Sequence, residues 1–563
     1  MDEEILVFAL QNAIEHEGKA QVGSVMGKAM ALFPDLRKDP KNASVKVSKI
    51  VEEVNSLTAE MQRERLLLLG GPRETIKRER KTGLPDLENA VTGKVVMRFA
   101  PGPSGPLHIG HSRAAVLNDE YCRRYHGKFI LRLEDTNPDR IDPEAYEMIP
   151  QDLEWLGVNI DEVFVQSDRF NIYYQVARDL ISAGAAYICT SDTEVWRSMK
   201  LAGKAVEERD DGPDVQLERW ERMLNGTYSE GEASFVVKTD LDHRNPAVRD
   251  FIGMRIKDVP HPRTGDRFRV YPLYNLSVAI DDHMMGCTHI LRGKDHLNNT
   301  LRQEYVYHHL GWELPKFIHY GLVSIPESVL KTSLIRQEIT NGIYSGWSDV
   351  RLGTLQALAA RGFDPRSLRD YWTEVGIKSV DINFSWDTLY AKNRTLIDHN
   401  ARRFFFVPSP SPLTFEYEGV LKANIPYHPE IPEMGSRVHL ITSHDGAINL
   451  YIPEKDIREN GNGSTVRLKD LCNVKLVDIT NGIGEFAGMD VSIIREVKGR
   501  IVQWVGEGSE PMEIFTPEGE VLKGLVEPGI ADTVSEGDMI QFERVGYCRV
   551  FFDNGLKANM AHE

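Results

Sequence analysis

Cysteine is scarce and scattered. The 563 residues hold five, Cys122, Cys189, Cys287, Cys472 and Cys548, with no C-x-x-C pair, so neither a disulfide framework nor a clustered zinc site is expected. Long apolar runs are missing as well. No stretch approaches the roughly 18 uninterrupted apolar residues of a membrane span, and the start, Met1-Asp2-Glu3-Glu4, lacks the basic leading segment of a secretory signal. The expectation is a cytoplasmic protein without a membrane partner. Positive charge is in deficit: 67 Lys and Arg face 84 Asp and Glu, a net charge of −17, which disfavours unspecific adhesion to nucleic acid or anionic lipid. One stretch departs from this. Residues 28–81 carry 13 basic and 8 acidic side chains, among them Lys77, Arg78, Arg80 and Lys81, and charge alone leaves a solvated helix face and a basic contact face open.

What is present is an ordinary globular composition, 41% hydrophobic and 27% charged, in a chain long enough for several domains with their own cores. Residues 1–93 read as helical, since Ile5, Phe8 and Ala9 repeat at helical spacing and a longer pattern runs from Val45 to Leu69 until Gly70-Gly71-Pro72 breaks it. The period then changes. Val95–Phe99 is a strand candidate, a Pro- and Gly-rich loop and a helix to about Tyr125 follow, Gly127 is placed to end that helix, and Phe129–Leu133 completes a β-α-β unit. That unit delivers Glu134 and Asp135 to the carboxyl edge of a parallel sheet, where ligands of open α/β sheets sit. Residues 170–270 are polar and irregular and read as an insertion. Beyond Arg403 short β-rich segments dominate, with turn signals at Asp445-Gly446, Asn462-Gly463 and Asn554-Gly555, and one or two barrels or sandwiches would fit.

The most informative stretch is Pro101-Gly102-Pro103-Ser104-Gly105-Pro106-Leu107-His108-Ile109-Gly110-His111. Lying after a strand and opening a helix, it is a phosphate-site candidate, because free backbone N–H groups and the positive helix end favour anions. His108 and His111, three apart, share one side of the first turn, and each ring offers an N–H donor. Gly110 leaves room for close approach of a nucleotide.

With H-I-G-H at 108–111, the chain resembles the class I aminoacyl-tRNA synthetases. Arg98-Phe99-Ala100-Pro101, Leu133-Glu134-Asp135-Thr136-Asn137-Pro138, and Tyr274 with Asp281-Asp282-His283-Met284-Met285-Gly286 are similar to the glutamyl/glutaminyl branch. Tyr344-Ser345-Gly346-Trp347-Ser348-Asp349 with Arg351-Leu352-Gly353-Thr354-Leu355 resembles archaeal-type glutamyl-tRNA synthetases. The resemblance implies an α/β multidomain fold. A helical N-terminal domain (1–93) precedes a Rossmann-like catalytic domain in two halves (94–169 and 271–335), separated by an insertion for the tRNA acceptor end (170–270). A helical connecting domain (336–402) then leads to a β-barrel anticodon-binding region (403–563).

It also implies ATP as substrate accompanied by Mg²⁺, L-glutamate, and tRNA(Glu), with tRNA(Gln) as a further candidate, in a monomer without bound zinc. Catalytic roles fall to His108, His111 and Lys331; ATP contacts to His108, Gly110, His111, Gly293, Asp295, Lys331 and Ser333; substrate contacts to Arg98, Ala100, Glu134, Tyr274 and Arg292. Bare chemistry agrees with part of this. A glutamate ammonium suits Glu134, unless Glu134 and Arg98 simply pair with each other across neighbouring strands; Arg98 can fork onto a carboxylate, and Tyr274 supplies a hydroxyl. Arg292, 18 residues after Tyr274, stands where the family's glutamate enzymes place an arginine and its glutamine enzymes an uncharged residue, and a guanidinium finds only a partial partner in an amide.

The second signature loop departs from the family. Where archaeal relatives read S-T-S-K, this chain has Lys331-Thr332-Ser333-Leu334 within Val329–Arg336, so Leu334 occupies the lysine position. Lys331 or Arg336 supplies the charge on a re-registered loop, or the chain is slow or inactive. The rival functions are a glutaminyl-tRNA synthetase and a non-catalytic tRNA-binding paralogue. The Phe404-Phe405-Phe406 run beside Arg402 and Arg403 suggests base stacking, although such a run more often builds core.

Overall fold

Among the described residues, the N-terminal unit of the computed structural model holds the helices α1 (Asp2–Glu15), α2 (Val22–Leu32), α3 (Pro40–Asn55) and α4 (Ala59–Leu68). The structure describes residues 2–16, 18–33, 36, 39–71, 83–326 and 328–563, in two units, 1–82 and 83–563. Ile5, Phe8 and Leu10 meet Val25, Ala29, Val47, Val51, Val54 and Leu66 in one core, the inward faces that helical periodicity predicts. The pattern Val45–Leu69 is not one helix, because Thr58 interrupts it and caps α4 through Met61 N. Lys77, Arg78, Arg80 and Lys81 lie outside the described residues.

Residues 83–93, expected to belong to the N-terminal domain, instead fold with the second unit. Leu84 and Leu87 are buried in its largest core, Tyr121 hydroxyl donates to Pro85 carbonyl at 3.0 Å, and Leu87 N donates to Tyr125 Oη at 2.9 Å. The chain then forms β1 (Val96–Phe99), α5 (Ile109–Tyr125), β2 (Lys128–Leu133), α6 (Ala145–Trp155) and β3 (Glu162–Val165), the strands parallel in the order β1-β2-β3. Gly127 does not cap α5; His126 takes the left-handed conformation there at φ 48°. Gly127 is needed for close approach, since a Cβ would stand 2.5 Å from Val95 O.

The insertion is more regular than its polar sequence suggests. After α7 (Phe170–Ser182) come β4 (Ala186–Cys189), α8 (Thr193–Leu201), α9 (Pro213–Leu224), β5 (Ser234–Val237), β6 (Phe251–Ile256) and β7 (Val270–Pro272), with β4–β7 an antiparallel sheet over a core that includes Trp220 and Phe235. Then α10 (Tyr274–Met284), β8 (His289–Gly293), α11 (Leu297–Leu310) and β9 (Lys316–Tyr320) return to the first sheet. β8 and β9 pair in parallel, and Thr288 N donates to Val96 O at 2.9 Å, which sets β8 beside β1. This is the Rossmann-like arrangement.

The connecting segment holds β10 (Val323–Ser324), α12 (Thr332–Thr340), α13 (Leu355–Arg361), α14 (Pro365–Val375), β11 (Ile382–Asn383) and α15 (Trp386–Ile397). Trp372 of α14 donates from its indole to Ser112 of α5 at 2.7 Å. Beyond it, the chain from Arg402 to His562 forms a seven-stranded and a six-stranded barrel-like sheet and a two-stranded ribbon of Val420–Pro426 with Ser436–Thr442. The phenylalanine run is core. Phe404 and Phe406 enter one hydrophobic cluster and Phe405 the other, as strand alternation dictates. Asp445-Gly446 and Asn554-Gly555 turn hairpins with positive φ at both residues, whereas Asn462-Gly463 lies between a helix and a strand.

Candidate active site

His108 is the N-cap of α5, and the two histidines are wired into the first turn. Gly110 N donates to His108 Nδ1 at 3.0 Å and His108 N donates to His111 Nδ1 at 3.4 Å; the rings stack at 3.7 Å. Each Nδ1 is therefore an acceptor and carries no proton, so each ring's single proton is on Nε2. Burial pushes His108 down to about 4 and, with His108 beside it, His111 well below its ordinary value. Both are neutral Nε2–H donors at neutral pH. Gly110 makes room for a histidine: a Cβ would lie 2.9 Å from His108 Cε1.

His111, Ala114 and Asn118 follow at helical spacing on α5. Ala114 and Asn118 line a cavity of about 280 Å³, along with Arg98, Phe99 and Ala100 from β1 and its exit, Glu134 after β2, and Tyr274 at the start of α10. Leu291, Arg292 and Gly293 of β8, His296, and Tyr320 of β9 complete it. The cavity thus gathers Arg98, Ala100, Glu134, Tyr274, Arg292 and Gly293. It does not include Asp295, whose carboxylate crosses Gly293 so closely that a Cβ would be 2.4 Å from Oδ1.

The electrostatics are uneven. Arg98 and Glu134 do not pair with each other. Arg98 Nε donates to Asp282 Oδ1 at 3.0 Å, while Arg132 Nη2 donates to Glu134 Oε1 at 3.0 Å. Burial raises Glu134 above the usual carboxylate range against the pull of Arg132 and Arg98. Tyr274 hydroxyl lies 3.1 Å from His296 Nδ1, and burial raises the phenol. Arg292 is 5% exposed. Its Nη2 donates to Thr300 Oγ1 at 2.6 Å and Gln303 Oε1 at 2.8 Å, and the guanidinium lies 5.2 Å over the Phe317 ring beside Tyr274, but Nε and Nη1 are buried without a hydrogen bond of good geometry. Among the described residues no carboxylate forms an ion pair with it. Burial lowers its pKa, yet an arginine stays charged, so this is a buried cation without a counter-ion.

At the signature loop, Lys331 precedes α12 as its N-cap and is exposed; its carbonyl accepts from Leu334 N and Ile335 N, while its side chain makes no hydrogen bond or ion pair among the described residues. Ser333 is exposed and Leu334 is 41% exposed. Arg336, the other expected source of charge, is committed: it donates to Ser104 O at 2.8 Å and pairs with Asp142. The helix start lies against the Pro101–Pro106 loop, since Thr332 Cγ2 would stand 3.2 Å from a Cβ on Gly105.

A larger cavity, about 570 Å³, lies between the 342–351 segment and the C-terminal sheet. Its arginine, Arg351, is already held by Asp349 at 2.7 Å, and no lining group is a buried polar atom without a partner. Among the described residues no three His, Cys, Asp or Glu side chains converge to hold a metal ion, and no helix is long and apolar enough to cross a membrane.

The family described as tRNA synthetases class I (E and Q), catalytic domain, matches residues 94–399, and the anticodon-binding domains of the same group match 401–493 and 501–551. The chain belongs to the class I aminoacyl-tRNA synthetases of the glutamate and glutamine branch. It is 45% identical over 563 residues to a glutamate–tRNA ligase of Methanopyrus kandleri, covering 99% of this chain and 98% of that one. A glutamate–tRNA ligase of Thermoplasma volcanium is 45% identical with 100% of both chains covered, and that of Methanocaldococcus jannaschii is 44% identical over 98% of this chain and 97% of its own.

Sequence reasoning missed Asn118, His296 and Tyr320 in the cavity and Arg132 and Asp282 behind it. The signals were there: Asn118 follows His111 by two helical turns, and Arg132 precedes Glu134 by the two residues that share a strand face.

Proposed function

We propose that the chain ligates L-glutamate to tRNA(Glu). The glutamate α-carboxylate attacks the α-phosphorus of Mg²⁺–ATP, forming glutamyl-adenylate and releasing pyrophosphate; a terminal ribose hydroxyl of the tRNA then takes the glutamyl group and AMP leaves. Positioning and electrostatics carry such phosphoryl chemistry without a covalent nucleophile.

The observation that carries this reading is the unpaired Arg292. In and behind the cavity, Arg98, Arg132, Arg169 and Arg292 supply four positive charges and Glu134, Asp281 and Asp282 three negative. The surplus of one matches zwitterionic glutamate, which has one positive and two negative charges; glutamine, net neutral, would leave Arg292 uncompensated. In this assignment Glu134 takes the ammonium, Arg98 the α-carboxylate and Arg292 the side-chain carboxylate, with Ala100 and Tyr274 as walls. His108 and His111 donate from Nε2 to ATP phosphates, Gly110 and Gly293 line the nucleotide's path, and Asp295 accepts from ribose hydroxyls. Lys331 and Ser333 close on the phosphates at the start of α12. Lys331 lies one helical turn before Leu334, and a long lysine side chain from that position covers the same end of the helix.

The region 170–270 would receive the acceptor end and 403–563 the anticodon, with tRNA(Gln) as a second possible substrate for the same site. The enzyme acts as a cytoplasmic monomer. Glutamate-dependent exchange of pyrophosphate into ATP, measured with tRNA present, tests the reading; a non-catalytic tRNA binder shows none.

A further inference from the structure

Behind the cavity lie two buried residues, Asp282 and Arg132, to which no substrate contact has been assigned. Asp282 of α10 is 1% exposed, and Arg132 of β2 is fully buried. Arg98 reaches Asp282 through Nε at 3.0 Å and Nη2 at 3.5 Å, and Arg132 Nη1 donates to the same Oδ1 at 2.7 Å. Through its other nitrogen, Nη2, Arg132 holds Glu134 Oε1 at 3.0 Å. Neither Asp282 nor Arg132 lines the cavity, whereas Arg98 and Glu134 both do. The neighbouring Asp281 accepts from Gln166 Nε2 at 2.9 Å, Arg169 Nε at 2.8 Å and Tyr173 hydroxyl at 2.6 Å, and touches the network only through Arg132 Nε at 4.0 Å. Of the two adjacent carboxylates, only Asp282 bonds both Arg98 and Arg132; Asp281 mainly holds the start of α7.

We infer that Asp282 is a positioning residue that ties together the two ends of the amino-acid site, orienting Arg98 directly and Glu134 through Arg132. The inference rests on the glutamate reading above. A guanidinium held by its Nε edge cannot swing, so Arg98 keeps one orientation toward the cavity. A carboxylate with Oε1 fixed by Arg132 keeps the other oxygen for an ammonium. Such a shared acceptor makes the contacts to the two substrate groups cooperative, and they are lost together.

The charged groups facing Glu134 are Arg132 and Arg98, which hold its pKa down against burial, and Asp282, which pushes it up; Tyr274 is the remaining titratable neighbour. The two variants therefore carry opposite pH signatures. Arg132→Met removes the cation nearest Glu134, so the acid limb of kcat/KM for glutamate moves to higher pH. Asp282→Asn removes a like charge and moves that limb to lower pH, while the KM for glutamate rises about tenfold to a hundredfold.

The experiment measures glutamate-dependent pyrophosphate exchange, with tRNA present, for the full chain, Asp282→Asn, Arg132→Met and Arg132→Lys, alongside thermal melts. The expected result is a raised glutamate KM with an unchanged ATP KM in every variant, and a limb near its native position in Arg132→Lys, which keeps the charge. ATP and glutamate KM values rising together, or limbs that do not move apart, overturn the inference. If a buried substitution prevents folding, Arg132→Lys decides alone: an unchanged glutamate KM refutes the positioning role. Absence of exchange in the native chain refutes the glutamate reading instead, which separates the two failures.

Discussion

Arg292→Met replaces a buried cation by an apolar chain, and its consequences for the empty and the occupied enzyme differ in sign. In the empty enzyme it removes the hydrogen bonds to Thr300 and Gln303, about 2–3 kcal/mol together. It also removes the penalty of burying an ion with no counter-ion, several kcal/mol. The variant should melt at or above the native temperature. With glutamate the balance reverses, because a desolvated guanidinium–carboxylate pair is lost, about 3–4 kcal/mol, or about 10²–10³ in kcat/KM. The thermal stabilisation that saturating glutamate gives the native chain, about 2.7 kcal/mol at a hundred times Kd, should also vanish. Melts with and without glutamate, combined with pyrophosphate exchange, read both effects. A variant that melts well below the native chain and still prefers glutamate over glutamine would refute the argument, since Arg292 would then be a structural residue.

Lys331→Met should lower kcat for adenylate formation about 10²–10³-fold with little change in glutamate KM, as for loss of a donor to the transferring phosphate; an unchanged rate would remove Lys331 from the mechanism, and a higher rate in Leu334→Lys would show that the altered loop limits the native enzyme. Gly110→Ala, whose Cβ would crowd His108 at 2.9 Å, should displace that ring and raise the KM for ATP while leaving the fold intact, as circular dichroism and exchange kinetics would report. Burial pushes His108 down to about 4 in the folded chain, below the 6.5 of an exposed imidazole, so the unfolded chain takes up its proton first as the pH falls. The contribution to stability is complete above pH 6.5 and is lost between there and about pH 4, about 3 kcal/mol in all. Melts across that window for the native chain and His108→Asn should converge toward the acid end, and parallel curves would contradict the assignment.

The parts of the site that the sequence made legible are those packed into contiguous motifs. H-I-G-H opens α5 and the Glu134 and Gly293 segments sit at strand ends, places where a short run of residues announces both the turn and the chemistry. Arg292 was legible only through resemblance, because nothing in its local sequence says that it is buried without a counter-ion. The Asp282 bridge was not legible at all, since its partners Arg98 and Arg132 lie on separate strands more than a hundred residues away and meet only when the sheet forms. In the insertion, strands of three to six residues leave too little periodicity to be seen among polar neighbours. The boundary at 93 was misplaced because Leu84 and Leu87 follow a charged segment and look like its continuation; only their burial against α5 reveals the domain they serve.

The central claim is that the uncompensated Arg292 makes this a glutamate enzyme. It is tested most directly by charging purified tRNA(Glu) and tRNA(Gln) in parallel with labelled glutamate and labelled glutamine, in the presence of Mg²⁺–ATP. The account predicts that glutamate is attached to tRNA(Glu) and glutamine to neither tRNA. Attachment of glutamine, or of neither amino acid, would contradict it.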